Sequence, residues 1–251
     1  MSTYRLLTAA DRHPGVITGA EMTERYAHPD PGDRPWVRTN FVSTLDGAVQ
    51  GSDGRSGTIN TASDRSAFAL MRAHADVVLV GAGTARAEGY RAVDLETWQS
   101  KLRAQLGLAP YPTLAVVSAS CDLPSILLPD SDSAPVLILT SRLSRGTRPD
   151  FGGNVEVIEF DDPDQVPVAE LITALGERGL RRVLCEGGPH LAGQLHAADL
   201  VDEMCLTLSP MVVAGPAARS TVGPRIDEQA YRLDHAIGAD DNALLLRYRR
   251  V

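Results

Sequence analysis

Cys185-Glu186-Gly187-Gly188-Pro189-His190-Leu191 is the stretch whose residue types and spacing point most directly to chemistry. It follows the apolar run Arg182-Val183-Leu184 and leads into residues of helical spacing through Ala198. A strand that passes through two glycines into a helix can hold a phosphate. Glycine lets the backbone approach closely, and the first N–H groups of the helix point outward at the positive end of its dipole. Glu186, at the strand end, could face a second ligand. The same residues would also make an ordinary strand-to-helix turn. A second junction of this kind, Gly81-Ala82-Gly83-Thr84, follows the apolar run Val77-Val78-Leu79-Val80. Two such junctions can meet around one dinucleotide, although neither carries the third glycine of a G-x-G-x-x-G fingerprint. An acid, Asp46, stands in the Leu45-Asp46-Gly47 turn. Residues 51 to 61 are rich in glycine and hydroxyls, and they read either as a loop that wraps a polar ligand or as a surface loop.

Other chemistries lack their residues. There is no G-x-S-x-G elbow, no Walker lysine, no H-E-x-x-H and no zinc-spaced Cys/His set. The six histidines are scattered, so no metal site is expected. A net charge of −8 leaves no basic surplus to neutralise phosphates, which argues against a nucleic-acid or anionic-membrane partner. Cys121, Cys185 and Cys205 show no C-x-x-C spacing and read as buried free thiols in a reducing, cytoplasmic setting. No apolar run approaches the ~18 residues of a membrane span. What remains suits a nucleotide cofactor that carries the hard chemistry while the protein positions its partner.

The elements that must position these residues follow from periodicity. Residues 1–34, rich in Pro, Gly, His and Asp, read as an irregular N-terminal arm with a short helix over Glu21 to Tyr26. Pro35 to Val42 alternates and reads as a strand. Ser63 or Asp64 should cap a helix that runs to about Ala75, with Phe68, Met71 and Ala75 on one face and Arg72 between. The continuous run Val77–Val80 has the pattern of a strand buried on both faces. Further strands are expected at Pro112–Ser118, Pro135–Thr140, Val155–Phe160 and Glu203–Pro210, with helices at Leu95–Leu106 and Val168–Leu175. This alternation predicts one α/β domain with a mostly parallel sheet covered on both faces. Tyr231–Ala236 and Ala243–Arg249 read as an antiparallel hairpin that closes the sheet edge.

Ser43-Thr44-Leu45-Asp46-Gly47, Val80-Gly81-Ala82-Gly83-Thr84, Glu186-Gly187-Gly188-Pro189-His190-Leu191, Leu200-Val201-Asp202-Glu203 and Leu208-Ser209-Pro210 recur here in the order and spacing of a known family. From about Arg34 to the C-terminus the chain resembles the riboflavin-biosynthesis reductases, the reductase domain of RibD-type proteins, which has the dihydrofolate-reductase fold. The resemblance implies a stand-alone, NADPH-dependent reductase, without the zinc deaminase half of bifunctional members. It would reduce the ribosyl group of 5-amino-6-(5-phosphoribosylamino)uracil, a phosphorylated pyrimidine, to a ribityl chain. It also implies a homodimer.

Carried over by position, the family's cofactor contacts fall on Val42, Thr84, Glu88, Ser118 and the run Gly187, Gly188, Pro189, His190, Leu191, Ala192, Gly193 and Gln194. Its substrate contacts fall on Ser56, Arg72 and Glu186, beside Asn40. Arg72 would hold the substrate phosphate with paired donors, and Glu186 would accept from the N–H edge of the pyrimidine. Asp46 is the candidate for organising protons near the carbon that accepts hydride, with turn formation as its other reading. Ser141-Arg142 is a candidate for part of the 2′-phosphate site. Many members carry Lys where this chain has Asn40, Trp where it has Thr58, and Asp-Asp-Pro where it has Glu88-Gly89-Tyr90. These departures bear on the substrate, so dihydrofolate or another pterin, and an NADP-binding regulatory role without catalysis, stand as alternatives.

Overall fold

A computed structural model describes residues 3–7, 16–121, 123, 127, 134–141, 151 and 154–251. Its sheet is built from β1 (Tyr4–Leu6), β2 (Val16–Ile17), β3 (Trp36–Ser43), β4 (Val77–Gly81), β5 (Thr113–Val117), β6 (Val136–Ser141), β7 (Val155–Phe160), β8 (Arg182–Cys185), β9 (Glu203–Leu208), β10 (Tyr231–Ala239) and β11 (Leu244–Arg250). The helices are α1 (Gly19–Arg25), α2 (Ala62–His74), α3 (Ala82–Glu88), α4 (Thr97–Gln105), α5 (Val168–Glu177) and α6 (Pro189–Ala197). Among the described residues the strand order is β2-β1-β10-β11-β9-β3-β8-β4-β5-β6-β7. Every pairing from β9 to β7 is parallel, and the pairings among β2, β1, β10, β11 and β9 are antiparallel.

Alternation along the central strands sends their side chains into two cores. Val78, Val80, Leu114, Val116, Ile138 and Leu184 join Ala67, Leu70 and Met71 of α2 on one face. Val77, Leu79, Ala115, Leu137, Leu139 and Val183 join Leu171 and Leu175 of α5 and Leu191 and Leu195 of α6 on the other. The period of two is why an unbroken apolar run marks a strand covered on both sides. The three cysteines are buried and free, and among the described residues no helix is long and apolar enough to cross a membrane.

Three expectations change. The arm contributes structure: β1 pairs with β10, Tyr4 facing Ala239 and Leu6 facing Ile237, and α1 buries Met22. The β10–β11 hairpin is therefore not the sheet edge. It lies inside the sheet, flanked by β1 on one side and β9 on the other. The physical anchor is a buried charge cluster. Glu203 accepts from Arg38 Nε at 2.5 Å and from Arg247 Nε and Nη2 at 2.8 Å each. The two guanidinium groups then reach the backbone at the C-terminal end of α1. Arg38 Nη1 donates to the Tyr26 carbonyl at 2.9 Å, and Arg247 Nη1 donates to the Arg25 carbonyl. Finally, the cap of α2 is Thr61, whose hydroxyl accepts from the Asp64 amide at 3.2 Å. Ser63 sits inside the first turn, where Asp241 of the β10–β11 turn accepts its amide and hydroxyl at 2.9 and 2.8 Å.

Candidate active site

The carboxyl ends of β3, β8 and β4 lie side by side at the centre of the sheet, and a cleft of about 540 Å³ opens over them. This is where an open α/β sheet binds its ligands, because the chain leaves neighbouring strands in different directions there. The two glycine junctions meet at its floor. The Gly81 amide donates to the Gly187 carbonyl at 2.8 Å. Gly188 packs so closely on Thr84 that a Cβ there would fall 2.3 Å from Thr84 Oγ1. Gly187 adopts φ +97°, a left-handed conformation that glycine alone adopts without cost. Gly188 is the N-cap of α6 and Pro189 its first residue. No side chain caps the helix, and no acid occupies its first turn. The early amides of α6 are thus open to an anion, and Pro at N1 loses no hydrogen bond there.

Of the residues expected at the site, Asn40, Val42, Ser56, Arg72, Thr84, Glu88, Glu186, Gly188 and Pro189 line this cleft. Two pairs among them bind each other. Arg72 Nε and Nη2 donate to the two Glu186 oxygens, each at 2.7 Å, in a fork-on-fork ion pair. Glu88 Oε1 accepts the Ser56 amide at 2.7 Å, which ties the 51–61 loop to the end of α3. Tyr90 completes the first pair: its hydroxyl donates to Glu186 Oε2 at 2.6 Å. Phe68 supports the same guanidinium, its ring centroid 4.2 Å from Arg72 Cζ. Burial, reinforced by the Glu186 charge, pushes the Tyr90 hydroxyl well above its ordinary pKa, so it stays a donor. Burial works against the Arg72 charge, but the facing carboxylate outweighs it and keeps the guanidinium ionised.

Other expected residues lie elsewhere. Asp46 is exposed and does not line the cleft. Its carboxylate accepts from the Thr44 hydroxyl and from the Ala214 and Val213 amides at 2.7 and 3.4 Å. Those bonds, the Thr44 hydroxyl first, lower its pKa, as fits a carboxylate that pins two loops together. Ser118 is buried beyond β5, its amide donating to the Leu139 carbonyl at 2.9 Å. Leu191 belongs to the core, and Ala192 packs with Phe41 and Val49, so only their backbone could meet a ligand. Gly193 faces the 222–223 backbone, where a Cβ would fall 2.1 Å from the Val222 carbonyl oxygen. His190 and Gln194 are exposed outside the cleft lining. Ser141 is fully buried and donates to the Ala119 carbonyl at 3.0 Å, while Arg142 lies outside the described residues. Thr58 is tied within its own loop to Asp53 at 3.2 Å.

Sequence reasoning did not assign roles to Tyr90, Phe68, Asn60 and Asp64, which also line the cleft. Phe68 and Asp64 were read as a helix face and a helix cap. Tyr90 stood in a departure from the family pattern, which was its only signal. Among the described residues no group of three His, Cys, Asp or Glu is placed to hold a metal.

This geometry coincides with a family. Residues 35–241 match the RibD C-terminal domain. The chain is 27% identical over 182 residues to the 2,5-diamino-6-ribosylamino-4(3H)-pyrimidinone 5′-phosphate reductase of Archaeoglobus fulgidus, covering 72% of this chain and 83% of the relative. It is 29% identical over 199 residues to the protein of the same name from Methanothermobacter thermautotrophicus, covering 78% and 88%. A pyrimidine reductase-like protein from Corynebacterium diphtheriae has the same fold, with a TM-score of 0.74 at 24% identity over 91% of this chain and 98% of that one. The chain belongs to the RibD C-terminal domain family of riboflavin biosynthesis.

Proposed function

We propose that this protein is an NADPH-dependent reductase that converts the ribosylamino group of a phosphorylated 6-ribosylaminopyrimidine into a ribitylamino chain. The observation that carries the reading is the convergence of the two glycine junctions on one cleft whose opposite wall is polar. The residues present fit the cofactor. Gly188 and Gly81 admit close backbone approach, the open amides at the start of α6 suit a pyrophosphate, and the Thr84 hydroxyl stands beside them. NADPH, when bound, supplies the hydride.

The chain's own residues hold the partner. The Arg72–Glu186–Tyr90 cluster forms a rigid wall, locked by three charge-assisted bonds. Arg72, whose Nε and Nη2 are bound to Glu186, and Arg91 both line this cleft. These two cations are the candidates for the substrate phosphate. Asp46 serves the site by fixing the 211–214 loop to the end of β3. A cytoplasmic homodimer belongs to the same reading, supported by the family resemblance and the buried free thiols.

Purified protein should oxidise NADPH when given a phosphoribosylaminopyrimidine, with a ribityl product. Turnover of dihydrofolate in its place would transfer the reading to a pterin reductase. Tight NADPH binding with no turnover of either compound would make the protein a nucleotide-binding regulator.

A further inference from the structure

Arg72 and Glu186 both line the cleft, but they meet it unequally. The Arg72 side chain is 21% exposed and the Glu186 side chain 1%. Glu186 was the residue expected to read the N–H edge of the pyrimidine. Its oxygens are instead taken by Arg72 Nε and Nη2 and by the Tyr90 hydroxyl. A ligand in the cleft meets the cation, with the carboxylate behind it.

Tyr90 belongs to a third element. Arg72 stands in the last turn of α2, Glu186 follows β8, and Tyr90 follows α3. Gly89, at φ +71°, ends α3 in the left-handed conformation. The Tyr90 amide then returns to the Ala85 carbonyl at 2.9 Å, and its ring packs against the core. The hydroxyl is thereby aimed at Glu186 Oε2, at 2.6 Å. The last torsion of a glutamate side chain is broad. With Arg72 as sole partner, carboxylate and guanidinium could turn together as one unit. The Tyr90 bond blocks that rotation, because Oε2 then holds two donors from different elements. Phe68, one turn earlier on α2, has its ring centroid 4.2 Å from Arg72 Cζ, and the Tyr90 ring centroid lies 5.6 Å from the same atom. Three side chains thus hold one cation in one orientation.

We infer that Tyr90 is a positioning residue: acting through Glu186, it holds the Arg72 guanidinium ready for the anionic end of the substrate, and so sets the preference for a phosphorylated over an unphosphorylated ligand. This rests on the reductase reading above, which supplies the substrate. An arginine that is free to rotate loses that freedom when an anion binds, and the loss weakens binding. Here the fold imposes the order before the ligand arrives. Tyr90 lies in the Glu88-Gly89-Tyr90 run, where the chain departs from the Asp-Asp-Pro of many relatives, and proline has no hydroxyl to offer.

The test compares the wild type with Tyr90→Phe, which keeps the ring and removes the hydroxyl. A phosphorylated ribosylaminopyrimidine and its dephosphorylated form are titrated calorimetrically into the full chain without NADPH. NMR relaxation of the Arg72 Nε–H group is measured in the ligand-free protein. Tyr90→Phe should weaken binding of the phosphorylated compound about tenfold and hardly move the other. The order parameter of Arg72 Nε–H should be about 0.8 in the wild type and fall below about 0.6 in the variant. Equal weakening of both compounds would make Tyr90 merely structural, and unchanged or tighter binding of the phosphorylated compound would remove it from the site. Either result overturns the inference. If Tyr90→Phe fails to fold, the wild type decides: a mobile Arg72 side chain in the ligand-free protein overturns the inference, and a rigid one supports it. If the phosphorylated compound binds and Tyr90→Phe weakens it selectively, but no reduction follows once NADPH is added, the reductase reading fails and the role of Tyr90 stands. A wild-type protein that binds neither compound overturns both.

Discussion

The Glu186 side chain is 1% exposed and held by three donors, and much of the cleft's behaviour follows from that. A buried carboxylate that loses its cation is a large penalty, about 3–5 kcal/mol for breaking such a pair from one side. Arg72→Ala is therefore expected to lower the melting temperature by many degrees and to depress turnover of every substrate, phosphorylated or not. A thermal melt with steady-state kinetics on both kinds of substrate checks this. A loss confined to KM for the phosphorylated substrate, with an unchanged melt, would return Arg72 to a purely phosphate-binding role. The family resemblance put Arg72 and Glu186 among the expected substrate contacts but gave them separate tasks. They stand 114 positions apart, and nothing in either local pattern announces the pair. Asp46 is the converse case: its turn was legible, but its partners at 213 and 214 come from a remote loop.

At the scale of elements the sequence was far more informative, because strands and helices write their burial into short periods. The run Val77–Val80 showed a strand covered on both faces, and the structure divides its side chains between two cores as alternation requires. The two strand–glycine–helix junctions were visible, and the structure brings them into contact at Gly81 and Gly187. The cap of α2 was misplaced by two to three residues because Thr61, Ser63 and Asp64 are all plausible caps. The Asp241 turn, distant in sequence, takes Ser63 out of the competition. The meeting of the junctions can be probed at Gly188. Adding a methyl group there forces Thr84 aside, and overpacking of this kind costs about 1–3 kcal/mol. Gly188→Ala should weaken NADPH binding by about tenfold or more while the protein stays folded, as read by fluorescence titration beside a melt. Unchanged affinity would place the pyrophosphate elsewhere.

Across the whole molecule, the N-terminal arm, the hairpin and the parallel sheet are joined by the Arg38–Glu203–Arg247 cluster, which no local pattern could reveal. Composition made residues 1–34 look irregular, but β1 and α1 owe their order to partners more than 200 residues away. The same region makes stability depend on pH. Burial, with the Arg38 charge behind it, lowers the pKa of His74 to about 4, and burial, then Arg247, lowers that of His235 to about 4. Folding thus favours the neutral rings. Their contribution is complete above the unfolded value of about 6.5 and is lost as pH falls toward 4. Burial opposes the Glu203 charge, but Arg38 and Arg247 outweigh it and hold the carboxyl at about 2. Its contribution is complete above the unfolded value of about 4.3 and is lost as pH falls toward 2. The melting temperature should decline from about pH 6.5 downward and more steeply below about 4.3. His74→Gln should flatten part of the first decline, and a melt that stays constant from pH 7 to 4.5 would contradict the assignment.

The central claim is that hydride passes from the nicotinamide to the ribosyl carbon, C1′, of a phosphorylated ribosylaminopyrimidine held in this cleft. It is tested most directly by supplying NADPH dideuterated at C4 and locating the label in the product by mass spectrometry and NMR. The account predicts a ribitylaminopyrimidine phosphate carrying one deuterium at C1′. Oxidation of the nucleotide with the pyrimidine unchanged, or a ribityl product free of deuterium, would contradict it.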